Sequence, residues 1–432
     1  MLVRSLALAI LLCAISVSSY AQTTGVITGE IKDSSGAVVP GVTVTARNNA
    51  TNAPRVVTTN ESGIYSFLSL PPGAYTITAE LSGFSTVKEV VTLEVQQAAR
   101  INMTLSVGGL TEAAEVSALT PLMTTENATV GTVIENRRIV ELPLNGRNYL
   151  QLVALSPNVS ADFEVAGDSG SRQGGTRSEQ QLSISGQRRE FNYYTLDGVD
   201  NTDVNFNTYI FMPSIDALQE FKVQTGIYSA EFGRGASQVN VVTKSGSNEL
   251  HGTLFEFVRN DKFDSKPYQF TAAPVAKPPF KWNQYGFTVG GPLVWRNKLF
   301  FMSNFEGYRD RKQLQSLFSV PSAAMRKGDF SEISAALNDP TRCTVDGTTR
   351  TCEKFGGNII PQTRLDATSL KLLEFYPEPN ISGRGLVDNY LSFQDREIDK
   401  DQFTTRVDFV ESASSTWAAR YSWATSGRFR PL

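Results

Sequence analysis

Trp417-Ala418-Ala419-Arg420-Tyr421-Ser422-Trp423-Ala424 sets Trp417, Ala419, Tyr421 and Trp423 on alternate positions, with Ala418, Arg420, Ser422 and Ala424 between them. Successive side chains of a β-strand point to opposite faces, so this stretch has one aromatic face and one polar, charged face. The same period of two recurs upstream. Phe403, Thr405, Val407 and Phe409 alternate with Gln402, Thr404, Arg406 and Asp408, and Tyr285, Phe287 and Val289 alternate with Gln284, Gly286, Thr288 and Gly290. Two structures ask for this pattern. A membrane-spanning β-barrel turns the apolar face to lipid and the polar face to water or protein inside. A soluble sandwich does the reverse, and the alternation alone fits both.

Composition narrows the field. The chain has 432 residues, enough for about three domains. Charged residues make up 19% and aromatic residues 10%, a mix that points to aromatic-rich strands more than to helical bundles. Net charge is −3, without the basic excess of a nucleic-acid-binding protein. One histidine, His251, and three cysteines nearly exclude zinc hydrolases, Ser-His-Asp enzymes with a second structural histidine, and multi-cysteine metal sites. Gly-x-x-x-x-Gly-Lys and Gly-x-Ser-x-Gly patterns are both absent from the sequence. Asp197, Asp200 and Asp203 form an acidic cluster, but their spacing fits no EF-hand loop, and a turn explains them as well. We therefore expect no catalytic residues, no cofactor and no metal.

Residues 1–22 read as a signal peptide: Arg4, an apolar run from Leu6 to Val17, then Ser19-Tyr20-Ala21 with small residues where a signal peptidase needs them. Export places Cys343 and Cys352 in an oxidising compartment. They flank Asp346-Gly347, a dipeptide that favours a tight turn, so a disulfide is expected.

Residues 23–106 carry short alternating segments separated by turn residues. These are 26–31, 42–46, 65–68, 75–79, 90–93 and 100–105, with Asp33-Ser34-Ser35-Gly36, Asn60-Glu61-Ser62-Gly63 and Pro71-Pro72-Gly73 between some of them. Strands at this spacing describe a small antiparallel sandwich. The residues Gly29, Asp33, Gly36, Pro40-Gly41-Val42, Gly63-Ile64-Tyr65, Leu70-Pro71-Pro72-Gly73-Ala74-Tyr75 and Gly83-Phe84 resemble the carboxypeptidase regulatory-like domain, a transthyretin-like sandwich. The peptidase that lends the name needs two histidines on zinc, so the resemblance implies a non-catalytic module.

Residues 107–126 read as a polar linker, and 127–248 as a small mixed α/β unit, with a short helix over 134–142 stopped by Pro143. Four blocks of this unit are similar, in order and separation, to the plug domain of TonB-dependent outer-membrane receptors. They are Leu196-Asp197-Gly198-Val199, Ile215 to Val223, Tyr228-Ser229-Ala230-Glu231-Phe232-Gly233-Arg234-Gly235, and Val239-Asn240-Val241-Val242-Thr243-Lys244. Leu142-Pro143-Leu144-Asn145-Gly146-Arg147-Asn148 resembles more narrowly the Oar-like subgroup, which also carries the regulatory-like sandwich. The resemblance implies plug-motif roles for Asp197, Gly198, Tyr228, Gly233, Asn240 and Lys244. It also gives a reading to the linker, because Thr111-Glu112-Ala113-Ala114-Glu115-Val116 is similar to a TonB box. Such a box is a short strand offered to a periplasmic energy-coupling protein, and its loose sequence is equally that of an ordinary linker.

With a plug before them, residues 249–432 read as the first strands of an antiparallel transmembrane β-barrel, near 250–259, 282–290, 298–308, 400–410 and 417–427. The gaps alternate long and short, as outer loops and periplasmic turns do. Residues 386–394 could hide a sixth strand. A plugged barrel of this kind needs about 22 strands of roughly 9–11 residues each, so an incomplete sheet that does not close is expected. The whole is therefore expected to be mainly β: a transthyretin-like sandwich, a small α/β plug and an incomplete barrel. The implied function is uptake of an unidentified extracellular ligand across the outer membrane, with the N-terminal domain in the periplasm. Outer-membrane lipid and a TonB-type coupling protein are the implied partners, and no nucleic acid is expected. Two other readings stay open: an adhesion or scaffold protein of the same architecture without uptake, and a secreted carbohydrate- or protein-binding sandwich protein.

Overall fold

The computed structural model describes residues 23–108, 114–117, 129–163, 180–188, 191–203, 208–228, 235, 237–265, 277–294 and 297–429. The signal-peptide reading therefore lies outside the described residues. The chain divides into two compact units. The first runs to Glu256 and adds Tyr285–Gly307 and Asp401–Thr425; the second holds Phe257–Gln284, Tyr308–Lys400 and residues from Ser426 onward.

Within the first unit, the N-terminal part consists of two sheets over one core. Gly25–Asp33 pairs antiparallel with Ile64–Leu70 and parallel with Ala98–Arg100 and Met103–Leu105. The second sheet has the order Pro54–Thr58, Thr43–Asn48, Gly73–Glu80, Val87–Leu93, Ala114–Ser117. The alternation in Val26-Ile27-Thr28-Gly29-Glu30-Ile31 sends Ile27 and Ile31 inward against Tyr65, Phe67, Val44, Ile77 and Val91, all buried. Each such side chain contributes roughly 1.5–3 kcal/mol by leaving water. The turn after the first strand is built by Asp33, whose Oδ1 accepts from the Ser35 and Ala37 amides at 2.9 and 3.0 Å.

Two features depart from expectation. Pro54–Thr58 is a strand where no segment was read, because Pro54 obscures the start of Arg55-Val56-Val57. Ala114–Ser117, read as linker, instead lies parallel to Val87–Leu93 as the last strand of the second sheet.

The central part of the first unit is a five-stranded mixed sheet, ordered Gly131–Glu135, Leu218–Gln224, Ser237–Thr243, Asn192–Leu196, Val199–Asp200. Ser237–Thr243 runs antiparallel to Leu218–Gln224 and parallel to Asn192–Leu196 and is buried along its whole length. Helical content is small. The helix expected over 134–142 is Asn136–Glu141, burying Ile139, and Tyr149–Leu155 forms a 3-10 segment that buries Tyr149, Leu150, Leu152 and Val153.

The strands His251–Asn260, Phe280–Pro292, Leu299–Phe318, Tyr390–Val410 and Thr416–Phe429 form the third large sheet, in sequence order. Its cross-strand partners run in opposite senses, Ser303 with Thr405, Arg309 with Lys400, Gln313 with Asp395, so these neighbours are antiparallel. The first and last strands do not pair with each other, and the sheet stays open. Two strands are longer than expected. The sixth strand suspected at 386–394 is the beginning of Tyr390–Val410. Between Leu299–Phe318 and Tyr390–Val410, the second unit holds a hairpin, Asn338–Asp346 with Thr349–Lys354, closed by a Cys343–Cys352 disulfide, and the helix Ala367–Leu373 capped by Asp366. Arg364 clasps Asp339 with two nitrogens at 2.5 and 2.7 Å and holds its carboxyl below the usual carboxylate range.

The tightest backbone approach in the N-terminal core falls at a glycine. A Cβ on Gly29 would lie 1.7 Å from the Ile101 carbonyl oxygen and 2.8 Å from the Tyr65 ring, and the Tyr65 hydroxyl donates to that same oxygen at 2.8 Å. Gly29→Ala is expected to destabilise this part by about 2–3 kcal/mol, as overpacking does. Hydrogen exchange should show it as faster exchange in Gly25–Asp33 and Ile64–Leu70.

Candidate functional site: the charged face of the open sheet

In the first unit the third sheet is inverted relative to a soluble sandwich. Its aromatic and aliphatic positions face outward: Leu254 is 87% exposed, Trp417 65% and Tyr421 66%. Its polar positions face inward: Asn304 is 1% exposed, Thr404 2% and Glu306 9%. Buried polar groups need partners, since an unpaired one costs about 1–3 kcal/mol and an unpaired charge more. Asn304 finds them within the sheet, in the Phe287 carbonyl and the Thr288 hydroxyl, and two clusters supply them to the charged groups.

The first cluster centres on Asp197. Asp197 and Gly198 occupy the tip of the two-residue hairpin between Asn192–Leu196 and Val199–Asp200, with φ of 51° and 80°. Two successive left-handed residues are what a type I′ turn requires, and Asp-Gly is a favoured pair for it. The turn carries the Asp197 carboxylate beyond the sheet, where Oδ1 accepts from the Thr243 amide and Oδ2 from its hydroxyl, each at 2.8 Å. Two arginines of the third sheet meet the carboxylate. Arg420 Nε lies 2.8 Å from Oδ2 and Arg406 Nη1 3.3 Å from Oδ1. Arg406 also donates to the Thr243 carbonyl at 3.1 Å and pairs with Asp408 at 2.9 Å. Arg406 and Arg420 were both on the polar face of the alternation; their shared partner had no sequence signal.

The second cluster centres on Arg147, in the Leu-Pro-Leu-Asn-Gly-Arg-Asn stretch. Its guanidinium pairs with Asp216, lies 3.7 Å from Glu306 and sits 4.2 Å above the Phe255 ring. Ser214 donates to Glu306 at 2.6 Å. Lys244 stands beside Asp216, and burial lowers its ammonium from the ordinary lysine value against that attraction.

The other motif residues have narrower roles. Asn240, fully buried, accepts from the Thr195 hydroxyl at 2.7 Å and donates to the Gln224 and Gln96 side-chain oxygens at 3.3 Å. The Tyr228 hydroxyl donates to the Gly235 carbonyl. Gly233 lies outside the described residues, as do Thr111, Glu112 and Ala113; Ala114, Glu115 and Val116 are in the strand already placed on the N-terminal sheet. Asp197 serves the arginines, and no group of three or more metal-ligating side chains is found among the described residues.

A third contact joins the N-terminal sandwich to the central sheet. The loop 94–97 follows directly on Val87–Leu93. The Val95 amide donates to Glu220, Lys222 donates to the Gln96 carbonyl at 3.1 Å, and Asn240 reaches the Gln96 side chain. Burial holds the Glu220 carboxyl up at about 7, with Glu94 and Glu135 adding to the rise and Val95 and Lys222 opposing it.

Several known proteins are similar to parts of this chain. A family model described as outer membrane beta barrel domain matches residues 242–432, and one described as carboxypeptidase regulatory-like domain matches 26–106. The TonB-dependent transporter Oar of Myxococcus xanthus is 27% identical over 302 residues, which are 67% of this chain and 27% of the transporter. A mutant of the ferric enterobactin receptor from Pseudomonas aeruginosa is similar over 69% of this chain and 33% of its own, at 14% identity and a TM-score of 0.35. A catechol 1,2-dioxygenase mutant from Acinetobacter radioresistens matches 22% of this chain at 12% identity, 58% of its own length and a TM-score of 0.19. The chain spans about a quarter of the transporter's length and a third of the receptor's. The resemblance to Oar-like TonB-dependent receptors read from the sequence thus meets an independent counterpart in the Oar transporter.

Two predictions follow from the clusters. Asp197→Ala takes the shared carboxylate from two partly buried arginines, of which Arg406 keeps Asp408, and is expected to cost about 1.5–3 kcal/mol. Asp197→Asn should cost less, because its amide oxygen still accepts from Thr243; protease sensitivity of the hairpin near 197 would rank the two. For Glu220, the folded carboxyl holds its proton to about pH 7 against an ordinary value of 4.5. Its contribution is complete below the lower value and lost as pH rises through the higher one, a change on the order of 3 kcal/mol. The thermal midpoint should therefore be lower at pH 7.5 than at pH 4.5, and Glu220→Gln should shrink the difference.

Proposed function

We propose, taking as premise the likeness of this chain to Oar-like TonB-dependent receptors, that it contributes the periplasmic sandwich, the plug and a stretch of barrel wall to an outer-membrane receptor that imports an extracellular ligand. The observation that carries this is the inverted sheet. Its charged face is matched by Asp197, at a hairpin tip of the central sheet, and by Arg147, in the turn after the helix Asn136–Glu141, so protein fills the inside, and its aromatic face is left for hydrocarbon. An exposed apolar face of this size has no place in water, whereas a barrel wall needs one.

On this reading residues 127–248 are the plug, and the two ionic clusters hold it against the wall. Charge pairs between large surfaces can be exchanged without unfolding either side, so tension on the plug could break them one after another and open a path. The 319–389 region, with its disulfide-closed hairpin, would form an outer loop on the ligand side. The periplasmic coupling protein supplies the work, and the chain carries out no covalent chemistry.

Membrane fractionation is expected to place the protein in the outer membrane, with heat-modifiable gel mobility. Brominated lipids should quench Trp417 and Trp423 fluorescence, and Trp417→Phe with Trp423→Phe should remove most of the quenched signal. A soluble periplasmic protein with unquenched tryptophans would overturn the assignment. Deleting 111–118 should abolish ligand accumulation while leaving insertion intact; unchanged accumulation would favour an adhesion or scaffold role.

A further inference from the structure

The second sheet of the sandwich ends in a strand that is foreign to its pattern. Ala114–Ser117 lies parallel to Val87–Leu93, with Val87 opposite Ala114, Lys88 opposite Glu115, Glu89 opposite Val116 and Val90 opposite Ser117. The remaining neighbours in this sheet pair antiparallel. Without this segment, Val87–Leu93 would be the open edge of the sheet, a row of unpaired amides and carbonyls that accepts almost any extended strand. The occupant is short, and parallel pairing is the less stable kind per residue. Among the described residues, Ala114–Ser117 pairs with nothing else. Three of its four residues belong to the segment that resembles a TonB box.

We propose that the sandwich edge Val87–Leu93 is a docking site for the chain's own coupling strand, which is parked there and must leave before the periplasmic coupling protein can take it up. This rests on the receptor reading above and adds a role for the sandwich. Strand addition depends mainly on backbone hydrogen bonds, so one segment can pair first with one edge and then with another. The edge itself is held in place, because the loop 94–97 that follows it is clasped by Glu220, Lys222 and Asn240 of the central sheet. Parking reduces the fraction of receptor able to bind the coupling protein and weakens apparent affinity by that fraction. The sandwich thus sets a threshold for engagement: whatever loosens the edge releases the strand.

The test uses the intact protein in detergent and the purified periplasmic domain of the host's TonB-type protein. Lys88→Cys with Glu115→Cys puts two cysteines at paired positions of adjacent strands, within reach of a disulfide. Oxidation should cross-link them, and the cross-linked receptor should bind the coupling domain at least about tenfold more weakly than the reduced one. The unsubstituted protein, measured with and without reductant, controls for Cys343–Cys352. As a second measurement, hydrogen exchange should show Lys88–Val90 losing protection when the coupling domain binds. Absence of the cross-link, equal binding by the oxidised and reduced forms, or unchanged protection of Lys88–Val90 in the complex would overturn the parking. Binding by neither form nor by the unsubstituted protein would overturn the receptor reading on which it rests.

Discussion

A sheet that turns its charges inward has to meet each of them with an opposite charge or a hydrogen bond. That requirement explains much of the first unit. Arg406 and Arg420 are mostly covered on the inward face of their strands, and the Asp197 carboxylate serves them there. To put a carboxylate there, the central sheet needs a hairpin with its tip at Asp197, and the Asp-Gly pair makes that turn. Thr243, the last residue of the buried strand Ser237–Thr243, fixes the carboxylate by both its amide and its hydroxyl. Arg147, Asp216 and Glu306 meet the same demand with the signs exchanged. Asp197 and Arg147 are therefore where the chain must match a sheet that comes later in sequence.

Much of this was legible in the sequence, and the rest was hidden for physical reasons. Period-two alternation located three strands of the open sheet, and the reading of a barrel placed the other two near 250–259 and 298–308. It could not say which face was the core, because Trp417, Tyr421 and Trp423 suit a sandwich interior as well as lipid. The strands' full length was missed where charges cluster. Arg309, Asp310 and Arg311 read as loop residues, yet in the second unit Arg309 and Arg311 pair with Asp399, and Asp310 with Arg396, across neighbouring strands. Asp197 was recognisable as part of a motif, but not as the partner of arginines more than two hundred residues away: no local pattern encodes a contact that only closure of the fold creates. Ala-Glu-Val-Ser at 114–117 does alternate apolar and polar residues, but four residues inside a polar stretch are too few to set a strand apart from a linker; its pairing is a matter of backbone.

The sandwich and the central sheet also share a boundary with its own chemistry. Glu220 and Lys222 are strand residues of the central sheet, and the expected pattern would place them in solvent. They face loop 94–97 instead, and burial moves the Glu220 carboxyl up and the Lys222 ammonium down, each toward its neutral form. Two weakened charges at a junction make it sensitive to small changes around it, unlike the ion-paired clusters against the third sheet.

Gly29 and Tyr65 are fitted to each other. The ring lies where the side chain of residue 29 would be, and its hydroxyl secures the Ile101 carbonyl that the same side chain would strike. Neither residue can therefore change independently. A smaller residue at 65 would leave room for a methyl group at 29 on the ring side but would also free the Ile101 carbonyl, so a substitution harmful alone could become tolerable only in the company of others. Single-step drift through this part of the core is closed, and its history should be one of paired replacements.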